Sequence, residues 1–114
     1  MLKDRNYKIS VLKLDSNKIS DHCVNIICES LIITSNKHLK VLSLGENLIT
    51  DSGCIHLAEM LDINSTNLRE LRLNWNSIKA QGGILLAHSL KSNTSLKVLD
   101  LSWNSIGSGG TTNT

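Results

Sequence analysis

Cysteines and histidines are the residues of this chain whose side chains are most often used for metal binding or nucleophilic catalysis. The 114 residues include three cysteines and four histidines, which are Cys23, Cys28, Cys54, His22, His38, His56 and His88. A protein zinc site needs ligands paired at short spacing, such as two cysteines separated by two residues, and no such pair occurs. No Cys–His or Ser–His–Asp set can be placed within mutual reach either. The sequence therefore predicts no metal ion, no cofactor and no enzyme activity.

Two adjacent glycines, Gly82 and Gly83, could bind an anion, because they stand at the start of a predicted helix. Free amides at a helix start can hold a phosphate or carboxylate group. A phosphate-binding loop would continue with Lys and then Ser or Thr, whereas this chain continues with Ile84 and Leu85. The sequence does not favour a nucleotide site at this position.

Charge and hydropathy limit the kinds of partner. The formal net charge is +2 and the basic residues form no continuous block, so neither nucleic acid nor an anionic membrane surface is an expected partner. No run of about 18 apolar residues is present, and no membrane-spanning helix is predicted. The first residues, 1–5, lack the apolar segment of a secretory signal.

The strands and helices that would position any functional residue are predicted from a sequence motif, called here the phrase, that occurs four times. The phrase is Leu-xx-Leu-x-Leu-xx-Asn-x-Ile, with Ile in place of the first Leu in the first copy, and its asparagines are Asn17, Asn47, Asn76 and Asn104. A period of 28 to 30 residues is typical of a solenoid built from stacked repeats. A solenoid offers a long, shallow surface suited to another macromolecule.

Each repeat is predicted to contain one short strand and one helix. Leu-x-Leu alternates with period two, as in a strand, and the residues after each Asn-x-Ile have helical spacing of apolar positions. Ser20 or Asp21, and Thr50 or Asp51, are candidate helix N-caps. The expected fold is an α/β solenoid, a short horseshoe arc with four parallel strands on its concave side and about three helices on its convex side. The repeated Asn is expected to point inward in all four copies and to satisfy backbone groups.

The repeats are predicted to span 9–38, 39–67, 68–95 and a truncated 96–110. Residues 1–8 are interpreted as the remnant of a preceding helix and connector, and residues 111–114 as a disordered tail. Neither end shows the polar cap that solenoids need, so the chain is interpreted as a segment of a longer array or a truncated product. Self-association through uncapped ends is a further alternative.

Aligned repeat by repeat, Cys23 takes the position of Gly53, and Cys28 takes the position of Ala58. Both positions call for a small side chain, and free cysteine behaves as a small buried hydrophobe. The cysteines are therefore interpreted as structural thiols in a reducing compartment.

The repeat resembles the ribonuclease-inhibitor-like class of leucine-rich repeats, because the phrase is followed by Asp-x-Gly-xxx-Leu-Ala-xx-Leu, most cleanly within residues 42–61. This class includes ribonuclease inhibitor, the sensor halves of NLR immune receptors and the Ran GTPase-activating protein. Cys23 departs from the pattern at the glycine of the first repeat, and Ala80 departs from it at the aspartate of the third. The resemblance implies a cytoplasmic protein-binding module and does not select one partner.

The side chains between the strand leucines are expected to face away from the core, on the concave side. Together with polar and aromatic residues just after the strands, they form the predicted protein-binding face, which consists of Val11, Lys13, Val41, Ser43, Glu46, Glu70, Arg72, Asn74, Trp75, Val98, Asp100 and Trp103. The valines are expected either to seed a partner contact or simply to suit a strand.

Trp75 and Trp103 take equivalent positions on adjacent repeats, where their rings could touch. Trp and Arg are enriched at interface hot spots, so Trp75, Trp103 and Arg72 are the predicted anchor, with Glu70 and Asp100 as its polar rim. The alternative is that each Trp covers the turn of its own repeat. For function, the alternative to a binding scaffold is a regulator that activates a bound GTPase through Asn74 or Arg72.

Overall fold

The computed structural model describes residues 9–106. The predicted helix remnant at 1–8, the last part of the truncated repeat and the predicted tail at 111–114 lie outside these residues. The boundaries drawn between repeats stay a prediction.

Strands and helices alternate along the chain. Their order is β1 (Val11–Lys13), α1 (Asp21–Ile33), β2 (Val41–Ser43), α2 (Asp51–Ile63), β3 (Glu70–Arg72), α3 (Ala80–Ser89) and β4 (Val98–Asp100). The four strands form one parallel sheet in the order β1-β2-β3-β4. The predicted solenoid of four parallel strands and three helices is confirmed.

The strand register repeats from one pair to the next. Leu12, Leu42, Leu71 and Leu99 stand opposite one another along the sheet. Leu42 and Leu71 are fully buried, as are the leucines two residues further on, Leu44 and Leu73. These side chains belong to one hydrophobic cluster with the buried residues of the helices. The helices therefore cover one face of the sheet, and the alternate strand residues lie on its other face, called here the outer sheet face.

The helices pack against their neighbours in order, α1 on α2 and α2 on α3. Thr50 is the N-cap of α2, and its hydroxyl accepts a hydrogen bond from the Ser52 N–H (3.3 Å). Ser20 stands at the N-cap of α1 without a side-chain capping bond. Asp21 does not cap its own helix. Its carboxylate accepts hydrogen bonds from the N–H (2.8 Å) and the hydroxyl (2.5 Å) of Thr50 in the next repeat. The first aspartate of a helix thus ties its repeat to the next one.

The repeated asparagines tie each repeat to the preceding one. Asn47 Oδ1 accepts hydrogen bonds from the N–H groups of Asn17 and Ile19 (both 2.9 Å), and its amide donates to the Leu14 carbonyl (3.1 Å). Asn104 bonds to the third repeat in the same way and is buried.

The first copy of this asparagine keeps the local bond of the other copies, to the carbonyl two residues before it, but lacks their bonds to a neighbouring repeat. Asn17 is exposed, and within residues 9–106 its side chain donates only to the Asp15 carbonyl (3.0 Å). The physical reason is that the partner groups belong to a preceding repeat, and no such repeat lies within the described residues.

The interpretation of the cysteines as buried structural thiols holds for two of the three. Cys28 and Cys54 are buried, and burial raises the pKa of each thiol to about 12, with a smaller contribution from nearby carboxylates. Cys23 is exposed, which corrects the expectation of a buried small side chain there. The Ser20 hydroxyl donates to its sulfur (3.7 Å) and lowers the pKa of the thiol.

Candidate functional site

The outer sheet face presents two rows of side chains in strict register. The first row holds Val11, Val41, Glu70 and Val98, and the second holds Lys13, Ser43, Arg72 and Asp100. Every strand therefore places its two outward side chains beside those of the next strand, at the spacing of about 4.8 Å that separates neighbouring strands. A shallow depression of about 500 Å³ lies over the first three strands and is lined by Val11, Lys13, Asp15, Val41, Ser43, Glu70 and Arg72.

Ser43 differs from the other residues of the predicted binding face. It lies in the second row as expected, between Lys13 and Arg72, but only 5% of its surface is exposed. Ser43 therefore lies on the predicted face but offers little surface to a partner. Its short side chain stands between two long ones, which leaves it at the floor of the depression.

Arg72 is held in place by two carboxylates. Its Nη2 lies 3.1 Å from Glu70 Oε2 on the same strand, and its Nη1 lies 3.4 Å from Asp100 Oδ2 on the next strand. Asp100 also accepts hydrogen bonds from the hydroxyl (2.5 Å) and the N–H (3.0 Å) of Ser102. The Ser102 hydroxyl, followed by its N–H and by Arg72, lowers the pKa of Asp100 against the opposing effect of burial. Glu70 and Asp100 thus neutralise Arg72.

Trp75 and Trp103 stack on each other at the end of the last two strands. Their ring centroids are 4.9 Å apart and the ring planes differ by 11°. About half of each side chain remains exposed, 53% for Trp75 and 50% for Trp103. The contact between the two rings is therefore present, and the stack forms the largest exposed aromatic surface within residues 9–106.

Both tryptophans have left-handed backbone conformations, with φ of 57° and 61°, and so do Ser16 and Glu46 at the equivalent positions of the first two repeats. This conformation lets the chain turn out of the strand two residues after the last inward leucine. It is uncommon for residues other than glycine. Together, Ser16, Glu46, Trp75 and Trp103 form a third row, called here the turn row.

Asn74, which precedes the turn row in the third repeat, packs over Gly45 of the second. A Cβ atom on Gly45 would lie only 2.7 Å from Asn74 Oδ1, so a larger residue at position 45 would require the Asn74 side chain to move. Asn74 is half-buried, which limits the surface it offers to a partner.

A row of basic residues at the start of the strands was missed in the sequence. Lys40, Arg69 and Lys97 are joined in register by backbone hydrogen bonds of 2.8 Å from the Arg69 N–H to the Lys40 carbonyl and from the Lys97 N–H to the Arg69 carbonyl. Among residues 9–106, none of the three forms an ion pair. The same column-by-column alignment that placed the outer-face residues would have found this row.

The histidines are distributed over separate elements. His22, His56 and His88 lie on α1, α2 and α3, and His38 lies in the connector before β2. Within the part of the chain that the structure describes, no group of three or more His, Cys, Asp or Glu residues could hold a metal ion. The same part contains no helix long and apolar enough to cross a membrane.

A protein-family model described as Leucine Rich repeat matches residues 35–58, 64–87 and 92–111, which together make up more than half of the chain. The chain belongs to the leucine-rich repeat family. Members of this family generally act as protein-interaction modules.

Several curated relatives fit the ribonuclease-inhibitor-like class. The chain is 38% identical over 87 residues to the NACHT, LRR and PYD domains-containing protein 4C of Mus musculus, covering 76% of this chain and 9% of that protein. It is 35% identical over 91 residues to the ribonuclease inhibitor of Sus scrofa, covering 80% and 20%. RAN GTPase-activating protein 2 of Arabidopsis thaliana is 28% identical over 87 residues, covering 76% and 16%. The resemblance stated from the sequence is confirmed.

A solved structure supports the fold alone. The C-terminal domain of tropomodulin from Caenorhabditis elegans superposes with a TM-score of 0.77 at 19% identity, covering 90% of this chain and 60% of that one. The leucine-rich repeat chain spans only 9% to 20% of the curated relatives described above. What those whole proteins do therefore does not transfer directly to this chain.

Proposed function

We propose that this leucine-rich repeat chain is a cytoplasmic, non-enzymatic module that binds a protein partner on its outer sheet face. The observation that carries the proposal is the Trp75–Trp103 stack, which leaves about half of each large aromatic side chain exposed. Aromatic residues contribute the largest contact areas at protein interfaces and are enriched among hot spots. The free thiols suit a reducing compartment.

The rest of the outer sheet face would complete the contact around this anchor. Val11, Val41 and Val98 offer apolar strand surface beside the depression. Lys13, Glu46, Glu70, Arg72 and Asp100 would form the charged surroundings that orient a partner. Ser43 and Asn74 would contribute mainly shape, because little of their surface is free. The partner is a protein rather than a nucleic acid or a membrane, because this face carries both acidic and basic side chains and the net charge of the chain is only +2.

A stacked pair can also serve the fold alone, with each ring covering the turn of its own repeat. The two roles differ in what removal of the rings would do. Loss of a hot spot weakens binding by about 2 kcal/mol or more while the protein stays folded. Loss of rings that only cover the turns of their own repeats would instead lower the free energy of unfolding by a similar amount.

The experiment compares the wild-type chain with the Trp75→Ala/Trp103→Ala variant in a cytosolic pull-down, with specific partners identified by mass spectrometry. The control is Ile55→Ala/Ile84→Ala, which removes two exposed apolar side chains from the helices. We expect the tryptophan variant to lose a partner that the isoleucine variant retains, with unchanged urea denaturation midpoints. Retained binding by the tryptophan variant, or its unfolding, would refute the proposed anchor.

A second candidate, regulation of a bound GTPase, is favoured by the similarity to RAN GTPase-activating protein 2 and by the position of Arg72 on the outer sheet face. Arg72 is already engaged by Glu70 and Asp100, so it would have to exchange carboxylates for a nucleotide. GTP hydrolysis by Ran and other small GTPases, measured with wild-type and Arg72→Ala chains, tests this role. An acceleration that requires Arg72 would establish it.

A further inference from the structure

The geometry of the tryptophan stack identifies the face of the Trp75 ring that Trp103 does not cover. The centroid distance of 4.9 Å is close to the spacing of about 4.8 Å between neighbouring strands. The two rings therefore stack along the direction in which the repeats follow one another. Trp103 of the fourth repeat covers one face of Trp75. The opposite face of Trp75 is turned towards the second repeat.

Glu46 is the residue of the second repeat at this position. Its N–H donates to the Asn74 carbonyl (2.8 Å), just as the Trp75 N–H donates to the Ser102 carbonyl (3.0 Å), so Glu46 precedes Trp75 in the turn row by one repeat. The side chain of Glu46 is exposed, and the Ser16 hydroxyl donates to its Oε1 (3.3 Å). Within residues 9–106, no lysine, arginine or histidine forms an ion pair with it.

We propose that the free face of Trp75 and the carboxylate of Glu46 form a seat for the guanidinium group of an arginine side chain of the protein partner. The proposal rests on the proposed function and specifies the partner chemistry that the outer sheet face selects. A cation over a tryptophan ring is attracted by the negative charge on the face of the ring. A carboxylate beside the ring adds a charge-assisted hydrogen bond to the same group.

Arginine fits this seat better than the other basic or aromatic side chains. The guanidinium is planar, so it can stack on the indole while its edge donates to the carboxylate. An ammonium group is strongly hydrated and presents no flat surface. A third aromatic ring could extend the stack but would leave the Glu46 carboxylate without a positively charged partner. The chain's own Arg72 is held by Glu70 and Asp100 and so leaves the seat to a second arginine.

The test follows the indole N–H signals of Trp75 and Trp103 by ¹H–¹⁵N NMR during titration with Nα-acetyl-arginine amide. Nα-acetyl-citrulline amide is the neutral isosteric control, and Nα-acetyl-lysine amide tests the choice of cation. We expect saturable shifts of the Trp75 signal with the arginine probe, smaller shifts with the lysine probe and none with the citrulline probe. A single side chain should bind weakly, with a dissociation constant in the millimolar range or above.

Two variants separate the ring from the carboxylate. Trp75→Leu should weaken binding of the arginine probe about two- to fivefold, as expected for one exposed cation–π contact, with the Trp103 signal as reporter. Glu46→Gln should weaken it about two- to threefold, and the loss should disappear at high salt because screening removes the charge contribution. Glu59→Gln, which neutralises an exposed glutamate on α2, is the matched control and should leave binding unchanged.

Equal binding of the citrulline and arginine probes, or an unchanged affinity in Glu46→Gln, would refute the arginine seat. Either result leaves the proposed protein-binding role intact if the pull-down still depends on the two tryptophans. Conversely, an arginine-selective response with no tryptophan-dependent partner would establish the seat while contradicting the proposed role of the stack as the anchor.

Discussion

The inner repeats and the end repeats of this chain are built from the same residues but are not equally buried. Leu42 and Leu71, on the two inner strands, are fully buried, whereas their equivalents Leu12 and Leu99, on the edge strands, remain partly exposed. The same side chain in the same local conformation therefore loses different amounts of solvent contact. Burial in a solenoid depends on having a neighbour on both sides, as expected when each repeat packs only on adjacent ones.

The two kinds of repeat also differ in the function we propose. The stacked rings and the Arg72–Asp100 ion pair join the third repeat to the fourth, whose strand lies at an edge of the sheet. The candidate anchor thus lies at one end of the described array. This placement makes it important to separate effects on stability from effects on binding, and a comparison of inner and end residues does so.

The largest expected effect comes from truncating the strand leucines. Leu71→Ala should lower the free energy of unfolding by about 3 to 4 kcal/mol, because it opens a cavity that neighbours on both sides cannot fill. Leu99→Ala should cost roughly half as much, because that side chain is already partly exposed. Urea denaturation followed by far-UV circular dichroism measures both values. Equal losses would contradict the idea that neighbours set the energetic difference.

The next largest expected effect on the free energy of unfolding comes from replacing the repeated asparagines. Asn47→Ala should destabilise the chain by about 2 to 3 kcal/mol, because the Asn17 and Ile19 N–H groups lose their acceptor while partly or fully buried. Asn17→Ala removes only a bond to the Asp15 carbonyl at the surface and should cost less than about 0.5 kcal/mol. Hydrogen exchange at the Ile19 amide would report the loss in Asn47→Ala directly. Unchanged protection there would contradict the assigned bond.

The glycine position near the start of the helices allows the stability of an inner repeat to be compared with that of the first repeat. A Cβ on Gly53 would lie 2.5 Å from Asp21 Oδ1 and 2.9 Å from Ile49 Cγ2, so Gly53→Ala should cost about 1 to 3 kcal/mol. Cys23 occupies the same position in the first repeat and is exposed, so Cys23→Ala should change stability by less than about 0.5 kcal/mol. Thermal and urea unfolding measure both variants.

A double-mutant cycle identifies the cause of the glycine requirement. If the Asp21 carboxylate is the obstacle, Asp21→Ala/Gly53→Ala should be more stable than the sum of the two single losses implies. Strict additivity would instead assign the loss of stability to Ile49, the other residue close to the added methyl group.

The sequence was sufficient for the fold because the period of the leucines and asparagines determines strand register in every repeat. It placed Trp75 beside Trp103 for the same reason, since equivalent positions in stacked repeats lie side by side. It could not distinguish inner from end positions, so Asn17 and Cys23 were expected to be buried. It also could not show that Ser43 lies low between Lys13 and Arg72, because exposure within a row depends on the length of the neighbouring side chains. The residues of the binding face stay a prediction.

The smallest expected effect concerns the charged contact between the last two repeats. Asp100 has a pKa below its ordinary value of 3.8, chiefly because of the Ser102 hydroxyl. A carboxyl whose pKa is lower in the folded state stabilises the fold above its unfolded-state pKa and ceases to do so as the pH falls through the folded-state value. Asp100→Asn should therefore lower the free energy of unfolding by about 0.5 to 1 kcal/mol near neutral pH, since the pair with Arg72 is partly exposed.

The pH dependence distinguishes this charge effect from a change in packing. The difference between wild type and Asp100→Asn should be constant from neutral pH down to about pH 5 and should shrink progressively below pH 4. Asp15→Asn, at the opposite end of the array, removes an exposed carboxylate that forms no ion pair within the described residues and serves as the matched control. A loss in Asp100→Asn that persists unchanged below pH 3 would mean that the amide disturbs the packing around Ser102, because a protonated carboxyl has no charge left to lose.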